Sequence, residues 1–439
     1  MDKKANPAVT REQQLDLYRF MFLNRTVEDT MTNLFRQNKI VGGLYSSLGQ
    51  EAISVGTTYA LEKRDWIAPM IRNIGGLLVK GVRPRDIFTQ HMARYTSPTL
   101  GKDGTSHFGD LKNLHIVSPI SMLGDLIPVM TGVAMAGRYL GQKIVALTWI
   151  GDGGTSTGAF HEGVNLAAQQ RAALVLVIEN NGWAYSTPVG RQVPIENLAD
   201  RAKAYGCRAF IEDGNDVEAM FTTAREAVRL CRAGEGPVII EAKTMRMRGH
   251  AQHDPAEYVP KEMIESWKRR DPIAMYEKRL AAAGVLTDQK KAEILEGIHA
   301  VVQEDLAFAE NSPFPPPELA ESAIYCEGAL LVEPQWERPV AEVTPPRSSV
   351  KAEWHKTEFD EFQADAIEGA GAVPSSGRAP SATIPRASGD GAQHELVGAS
   401  RPGGTVPLRG KTTGDGTKPA GRTPSKRPAK SAPPVRGRK

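Results

Sequence analysis

Two short polar segments, each at the end of an apolar run, contain the residues best suited to chemistry. Gly151-Asp152-Gly153 follows KIVALTWI, and Asn180-Asn181 follows LVLVIE. Mg²⁺ prefers a compact octahedral shell of hard oxygens, commonly one or two carboxylates together with phosphate. Asp152 offers a carboxylate, Asn181 an amide oxygen, and the backbone near Trp183 a carbonyl. These residue types therefore fit a magnesium–phosphate site.

The elements around the two segments must bring them together. Apolar, β-branched runs predict strands over Lys143–Ile150 and Leu174–Ile178, with a helix over Ser156–Gln170 between them. A right-handed crossover makes such strands parallel, with their carboxyl ends at the sheet edge where ligands bind. Asp152 and Asn181 can then lie side by side, although 29 positions separate them in the sequence.

The glycines and the following helix strengthen the phosphate interpretation. Gly151 and Gly153 allow the backbone to approach a phosphate closely. A helix that starts near Thr155–Thr157 directs its free N–H groups and positive dipole end at the same anion. Either segment alone is more typical of a tight turn, but their pairing at consecutive strand ends favours a ligand site. A dinucleotide site fits less well, because Ser156 stands where the third glycine of G-x-G-x-x-G belongs.

Alternation of strands and helices along the middle of the chain predicts an α/β fold, a parallel sheet with helices on both faces. The other predicted elements are helices over Glu12–Gln37, Ala52–Leu61 and Gly81–Arg94, a strand over Pro237–Ala242, and mostly helix from Pro260 to about Ala309.

Charge and composition set the C-terminal part apart. The net charge is +3, but Val373–Lys439 contains 13 basic and 3 acidic residues, a net +10; since 3 minus 10 is −7, the remainder is acidic. The folded part therefore shows no sign of binding nucleic acid. Beyond about Pro334, Pro, Ser, Gly and Ala dominate, and too few apolar residues remain to offset chain entropy. We predict a disordered tail over 335–439, in which Glu353–Ile367 could form one short helix.

Cysteine usage and the N-terminus bear on the compartment. Cys207, Cys231 and Cys326 are widely spaced and form no CxxC pair, which fits a reducing environment. The N-terminus lacks the apolar segment of a secretory signal, and no run is long enough to span a membrane. We predict a cytoplasmic protein.

The order GDG, helix, strand, NN resembles the thiamine-diphosphate motif. The wider sequence, from about Leu15 to Ile324, resembles the alpha subunit of the thiamine-diphosphate-dependent decarboxylating component of 2-oxo acid dehydrogenase complexes (pyruvate, branched-chain and acetoin types). The segments that carry this resemblance are LGQEA at Leu48–Ala52, SHFG at Ser106–Gly109, VSP at Val117–Pro119, NNGWAYSTP at Asn180–Pro188, DGNDV at Asp213–Val217 and RGH at Arg248–His250.

The resemblance implies a thiamine-diphosphate-binding fold over residues 1–330, with a helical arm at about 11–40 and a helical part at about 260–325. It implies thiamine diphosphate and Mg²⁺ as cofactors. The implied metal ligands are the side chains of Asp152 and Asn181 and the carbonyl of Trp183. The implied diphosphate contacts are Gly151, Gly153, Gly154, Arg72 and His250.

Two histidines match the family's active-site positions. His250 would contact the diphosphate or the substrate on a mobile loop and help to pass the acyl group on, and His107 would face the substrate. On residue type alone, Arg72 is typical of a surface arginine and His250 of an exposed loop, and a structural role for His107 is an equal alternative. The family often has Tyr before the arginine, whereas this chain has Ile71.

In this family the cofactor accepts the electrons released when a 2-oxo acid loses CO₂, and the acyl group passes to a lipoyl-bearing acyltransferase. The glutamate that activates the cofactor ring belongs to a beta subunit, so the resemblance implies an α2β2 assembly that is inactive without its partner. The chain between Pro119 and Pro128 is longer than in relatives, and we assign no cation site there. Alternatives are an acetoin dehydrogenase alpha subunit, another split thiamine-dependent enzyme such as a transketolase half, or a binder that acts through the basic tail.

Overall fold

Five parallel strands form the central sheet. The computed structural model describes residues 8–40 and 42–322. The described residues contain seven strands in two sheets: β1 (Trp66–Ala68), β2 (Ala146–Gly151), β3 (Leu174–Asn180), β4 (Trp183–Ala184), β5 (Thr187–Pro188), β6 (Arg208–Asp213) and β7 (Val238–Lys243). The sheet has the order β1-β2-β3-β7-β6 with all neighbours parallel, and β4 and β5 form a separate antiparallel hairpin.

Helices surround this sheet. They are α1 (Arg11–Arg36), α2 (Glu51–Tyr59), α3 (Ile74–Lys80), α4 (Pro84–His91), α5 (Leu126–Tyr139), α6 (Gly158–Gln169), α7 (Val189–Gln192), α8 (Ala202–Tyr205), α9 (Val217–Arg232), α10 (Lys261–Lys268), α11 (Pro272–Ala282) and α12 (Asp288–Asn311). Short 3-10 segments cover Gly153–Ser156, Leu198–Arg201 and Pro317–Glu321. The predicted α/β class, with a parallel sheet flanked by helices, is confirmed.

Alternate residues of the central strands enter two separate cores, which shows that helices cover both faces of the sheet. On β3, Val175 and Val177 pack with α1, α4 and α9 on one face, together with Trp149 of β2. Leu176 and Ile178 pack on the opposite face with α5 and α6. A strand buried on both faces reads as a continuous apolar run, as LVLVI does. The sheet is therefore a rigid support for whatever follows its strand ends.

Two predicted helices have different bounds in the structure. The helix expected over Gly81–Arg94 begins only at Pro84, because Gly81 has a φ of +104° and ends α3. The stretch from Pro260 to Ala309 is divided into α10, α11 and α12. Side chains of Asp271 and Thr287 accept hydrogen bonds from backbone N–H groups at the starts of α11 and α12, so each begins a new helix.

Several sequence predictions fall outside the described residues. These are the tail over 335–439, the short helix over Glu353–Ile367 and the environment of Cys326. Within residues 8–40 and 42–322, no helix combines the length and apolar character needed to cross a membrane.

Candidate active site

The ends of β2 and β3 lie next to one another at the edge of the sheet. Gly151 pairs with Glu179 in parallel register, so Asp152 follows one strand where Asn181 follows its neighbour. The two side chains are only 2% and 5% exposed. Both line a cleft of about 600 Å³. The structure thus brings together the two polar segments that the sequence pairs.

The turn after β2 is built from small residues. Gly153–Ser156 forms a 3-10 turn, and α6 then begins with Thr157 as its cap, whose Oγ1 accepts a hydrogen bond from the backbone N–H of Phe160 at 3.2 Å. The helix begins slightly later than the predicted Thr155–Thr157. Gly151, Gly153 and Gly154 all line the cleft, where a backbone without side chains leaves room for a bulky anion.

Two glutamines hold the polar side chains at the strand ends. Gln192 Nε2 donates to Asp152 Oδ2 at 2.8 Å, and Asn181 Nδ2 donates to Gln50 Oε1 at 3.2 Å. Burial raises the pKa of Asp152 above its usual value, although the bond from Gln192 opposes this. Within the described part of the chain, Gln192 Oε1 and Gln50 Nε2 are buried without hydrogen-bond partners. An unsatisfied acceptor and an unsatisfied donor beside Asp152 and Asn181 suit a cation and an anion bound together.

The third expected metal ligand lies in the β4–β5 hairpin. Trp183 is 8% exposed, and its backbone N–H donates to Asn181 Oδ1 at 3.3 Å. Its carbonyl accepts a hydrogen bond from Arg246 Nη1 at 3.3 Å. Arg246 also donates to the Tyr185 carbonyl and the Tyr258 hydroxyl. A metal at the Trp183 oxygen would therefore replace Arg246 as its partner.

Arg72 and His250 meet in the lining of the same cleft. Arg72 is 6% exposed, so it is not an ordinary surface arginine. Its Nη2 donates to the His250 carbonyl at 2.7 Å and lies 3.1 Å from His250 Nδ1, and its Nη1 donates to the Ser46 carbonyl at 3.1 Å. Burial and the charge of Arg246 lower the pKa of Arg72 to about 10. The hydrogen bonds of Arg72 go to two carbonyls and a histidine, while Glu179 and Glu28 act on it only through their charges. A buried cation without a hydrogen-bonded carboxylate favours the arrival of an anion.

His250 is a neutral group in this setting. Burial, together with the charges of Arg72 and Arg246, lowers the pKa of His250 to about 4. The backbone N–H of His250 donates to Asp254 Oδ2 at 2.6 Å, and the ring packs against Tyr185 with centroids 4.7 Å apart. His250 therefore enters the cleft as a hydrogen-bonding imidazole rather than as a cation.

Glu179, the residue before the Asn pair, is a second buried carboxyl at the cleft. Its side chain is 1% exposed and accepts a hydrogen bond from Asn73 Nδ2 at 2.6 Å. Burial raises the pKa of Glu179 to about 7, against the opposing influence of Asn73 and Arg72. The group is thus poised between its neutral and charged forms near neutral pH.

His107 lines the same cleft from a separate loop. Its Nε2 lies 3.2 Å from Ser121 Oγ, and its Nδ1 lies 2.9 Å from Thr105 Oγ1. Ser121 belongs to the stretch between Pro119 and Pro128 that the sequence marks as unusual. Met122 and Leu123, which follow it, also line the cleft and are more than half exposed. The unusual stretch is therefore part of the cleft wall.

All the residues expected at the site line this one cleft. Sequence reasoning missed two others that line it, Arg246 and Glu179, and two that bond to Asn181 and Asp152, Gln50 and Gln192. Arg246 lies two residues before the RGH segment, and Gln50 lies inside the LGQEA segment. Glu179 is the last residue before the Asn pair. Gln192 carried no sequence signal, because its role depends on where α7 packs after the β4–β5 hairpin.

Comparison with known proteins identifies the family to which the chain belongs. The family model described as the dehydrogenase E1 component matches residues 18–318. The chain belongs to the dehydrogenase E1 component family. The E1 family depends on thiamine diphosphate, and the expected assignment as an alpha subunit of a 2-oxo acid dehydrogenase is confirmed.

Individual relatives agree with this E1 assignment. The chain is 34% identical to the 2-oxoisovalerate dehydrogenase subunit alpha of Bacillus subtilis (strain 168), over 73% of this chain and 97% of the relative. It is 31% identical to the pyruvate dehydrogenase E1 component subunit alpha of Rickettsia felis, over 74% and 98%. It is 32% identical to the same subunit of Rhizobium meliloti, over 70% and 88%. Relatives named for two different substrates thus match almost equally well.

Proposed function

We propose that this E1 alpha chain binds thiamine diphosphate and Mg²⁺ in the cleft and, with a beta subunit, decarboxylates a 2-oxo acid and passes the acyl group to a lipoyl-bearing acyltransferase. The observation that carries the proposal is the buried pairing of Asp152 and Asn181 at adjacent strand ends, in a cleft that the buried Arg72 also lines. When bound, the cofactor supplies the electron sink that lets the 2-oxo acid lose CO₂.

The donor set fits Mg²⁺ that shares its shell with a phosphate ligand. Among the described residues, no group of three His, Cys, Asp or Glu side chains could hold a metal ion alone. Asp152 would supply a carboxylate oxygen, Asn181 its Oδ1 and Trp183 its carbonyl, which leaves part of an octahedral shell for phosphate oxygens. The unpaired Gln192 Oε1 beside Asp152 supports a cation at this position.

The diphosphate would lie against the glycines and Arg72. Gly151, Gly153 and Gly154 leave the backbone open to the cleft, and Arg72 would donate charged hydrogen bonds to phosphate oxygens. These bonds would compete with those Arg72 now makes to the His250 carbonyl and Nδ1. Arg72 would therefore form hydrogen bonds either to the cofactor or to the loop that contains His250. In the proposal, His250 and His107, which both line the cleft, face the substrate.

The beta subunit is needed because a catalytic carboxylate for the cofactor ring is part of the partner in this family. Glu179, the second buried carboxyl of the described cleft beside Asp152, is held by Asn73 at the end of β3 and does not lie on a second sheet. The proposal also includes a domain boundary near residue 330, supported by the family match that ends at residue 318. Cytoplasmic placement is supported by the free thiols Cys207 and Cys231.

The experiment is co-expression with a beta subunit, followed by measurement of CO₂ release in the presence of thiamine diphosphate and Mg²⁺. Pyruvate, 2-oxoisovalerate and acetoin are compared as substrates, and the chain alone is the control. We expect turnover of one 2-oxo acid by the assembly and none by the chain alone. Full turnover by the chain alone, or no turnover of any 2-oxo acid by an assembly that binds the cofactor, would overturn the proposal.

A further inference from the structure

Three side chains from two loops form a continuous hydrogen-bonded chain that ends in the cleft. Asp103 Oδ2 lies 3.3 Å from His107 Nδ1, and His107 Nε2 lies 3.2 Å from Ser121 Oγ. Asp103 and His107 are about one-third exposed, and Ser121 is exposed at the mouth of the cleft. In such a chain the imidazole can act as a base toward the hydroxyl, and the carboxylate orients the imidazole.

The contacts around Nδ1 determine which ring nitrogen of His107 carries the proton. Thr105 has one hydroxyl proton, which it donates to Asp103 Oδ1 at 2.6 Å. Its oxygen, 2.9 Å from His107 Nδ1, can therefore only accept a hydrogen bond from the ring. Asp103 Oδ2, the other neighbour of Nδ1, is also an acceptor. Two acceptors at Nδ1 require an N–H there, so the neutral ring has its lone pair on Nε2.

The charge of Asp103 supports the same arrangement. Burial tends to raise the pKa of Asp103, but hydrogen bonds from Thr105 and His107 outweigh it and hold this pKa below its usual value. The carboxylate is therefore ionised and remains an acceptor at neutral pH. The backbone N–H of Thr105 also donates to Asp103 Oδ1, at 2.5 Å, which fixes the direction of the carboxylate.

His250 has the opposite tautomer, which gives the cleft two different histidines. Its Nδ1 meets Arg72 Nη2 at 3.1 Å. Arginine only donates hydrogen bonds, so this Nδ1 must accept one and the proton of the neutral ring lies on Nε2. Because its pKa is lowered to about 4, His250 is a poor acceptor of a proton. His107 faces the Asp103 carboxylate instead of two arginines.

We propose that Asp103 is a positioning residue that fixes the Nδ1–H tautomer of His107, so that Nε2 can accept a proton from the cleft through Ser121. In the step, Ser121 Oγ takes a proton from the former ketone oxygen of the substrate, which is a hydroxyl once CO₂ has left, as it gives its own proton to Nε2. The ring becomes an imidazolium whose Nδ1–H stays on Asp103, and the reverse step returns the proton to the substrate. No electron is transferred. The inference rests on the proposed function for the identity of the substrate.

Asp103→Asn tests the tautomer directly. The amide oxygen can still accept from the Thr105 backbone, while the amide nitrogen now donates toward His107 Nδ1 and favours the Nε2–H form. The full chain is labelled with ¹⁵N-histidine, and His107→Gln assigns the ring signals by NMR. Asp110→Asn is the matched control, because Asp110 likewise accepts a loop N–H, from Asn113 at 2.8 Å, and its side chain bonds to Asn113 and not to His107.

We expect Nδ1–H at His107 in the wild type and in Asp110→Asn, and loss of this form in Asp103→Asn. His250, with its Nε2–H form, is an internal reference. In the assembly with a beta subunit, Asp103→Asn should lower kcat about 10-fold with little change in KM, as expected for partial loss of a general base. Asp103→Glu should restore part of kcat, and Ser121→Ala should lower kcat while leaving the tautomer unchanged.

The inference is overturned if Asp103→Asn keeps the Nδ1–H form, or if it loses that form with wild-type kcat. Should Asp103→Asn fail to fold, Thr105→Val tests the same point: Nδ1–H must persist on Asp103 alone, and its loss refutes the role of the carboxylate. Failure of the proposed function would look different, since a wild-type assembly without 2-oxo acid turnover leaves the tautomer result standing.

Discussion

Gly151→Ala separates the ability to bind cofactor from the stability of the fold. A Cβ added at Gly151 would meet no heavy atom of the described residues within 4 Å, whereas one at Gly153 would overlap the Cβ of Ala184. Gly151→Ala should therefore change the free energy of unfolding of the chain by less than about 1 kcal/mol. Gly153→Ala should lower that free energy by about 1–3 kcal/mol, the usual cost of overpacking.

The affinity for thiamine diphosphate should fall in Gly151→Ala, although the stability of the chain hardly changes. The new methyl group projects into the space assigned to the diphosphate and should cost at least one charge-assisted contact, about 1.5–3 kcal/mol. This corresponds to about a 10- to 150-fold rise in Kd for thiamine diphosphate. Titration calorimetry on the assembly with a beta subunit measures the Kd, and denaturant unfolding measures the stability. If Gly151→Ala binds the cofactor like the wild type, the diphosphate does not pass over Gly151.

Three further perturbations probe the charged groups of the cleft. Arg72→Met should raise the Kd for thiamine diphosphate about 50-fold, because a charged donor to phosphate is lost. The control Arg64→Met, at an exposed arginine, should leave the Kd unchanged. If calorimetry gives both variants the same Kd, the role of Arg72 is refuted. Burial raises the pKa of Glu179 from 4.5 to about 7, so the free energy of unfolding of the wild type falls as pH rises from 4.5 to 7. Glu179→Gln should remove this loss. The variant should be more stable than the wild type by up to about 3 kcal/mol at pH 8, and equally stable below pH 4.5. Denaturant unfolding across pH checks this, and a difference independent of pH would contradict it. The pKa of His250 is about 4 against 6.5, so stability should be lost as pH falls from 6.5 to 4; His250→Gln should flatten that dependence, and an unchanged slope would show that His250 is not buried in the neutral form.

Local sequence predicts the strand–helix–strand unit well because its signals are strong and nearby. LVLVI has no polar interruption, and β3 runs Leu174–Asn180 as a strand buried on both faces. The GDG and NN segments then need only the parallel register of β2 and β3 to come together. The sequence patterns did not predict β1 and β6, for two different reasons. Trp66–Ala68 is too short to show a period, and Arg208–Asp213 is an edge strand of mixed polarity whose side chains are mostly exposed or half-buried.

Contacts between distant segments could not be read from the residues themselves. Arg72, His107 and His250 reach the cleft from three loops, and only the family resemblance placed them there. Their chemical state depends on neighbours far away in sequence. Burial, with the charges of Arg72 and Arg246, lowers the pKa of His250, and Ser121 meets His107 from the stretch between Pro119 and Pro128.

The most direct test of the cofactor site is the Mg²⁺ dependence of thiamine diphosphate binding in Asp152→Ala. The side chain is 2% exposed and, with Asn181, forms the centre of the proposed metal site. Calorimetry on the wild-type assembly should show binding that requires Mg²⁺. Asp152→Ala should show no Mg²⁺-dependent binding, while Asp200→Ala, at an exposed aspartate, should bind like the wild type. Thiamine diphosphate bound to Asp152→Ala at wild-type affinity would contradict the assignment of the site.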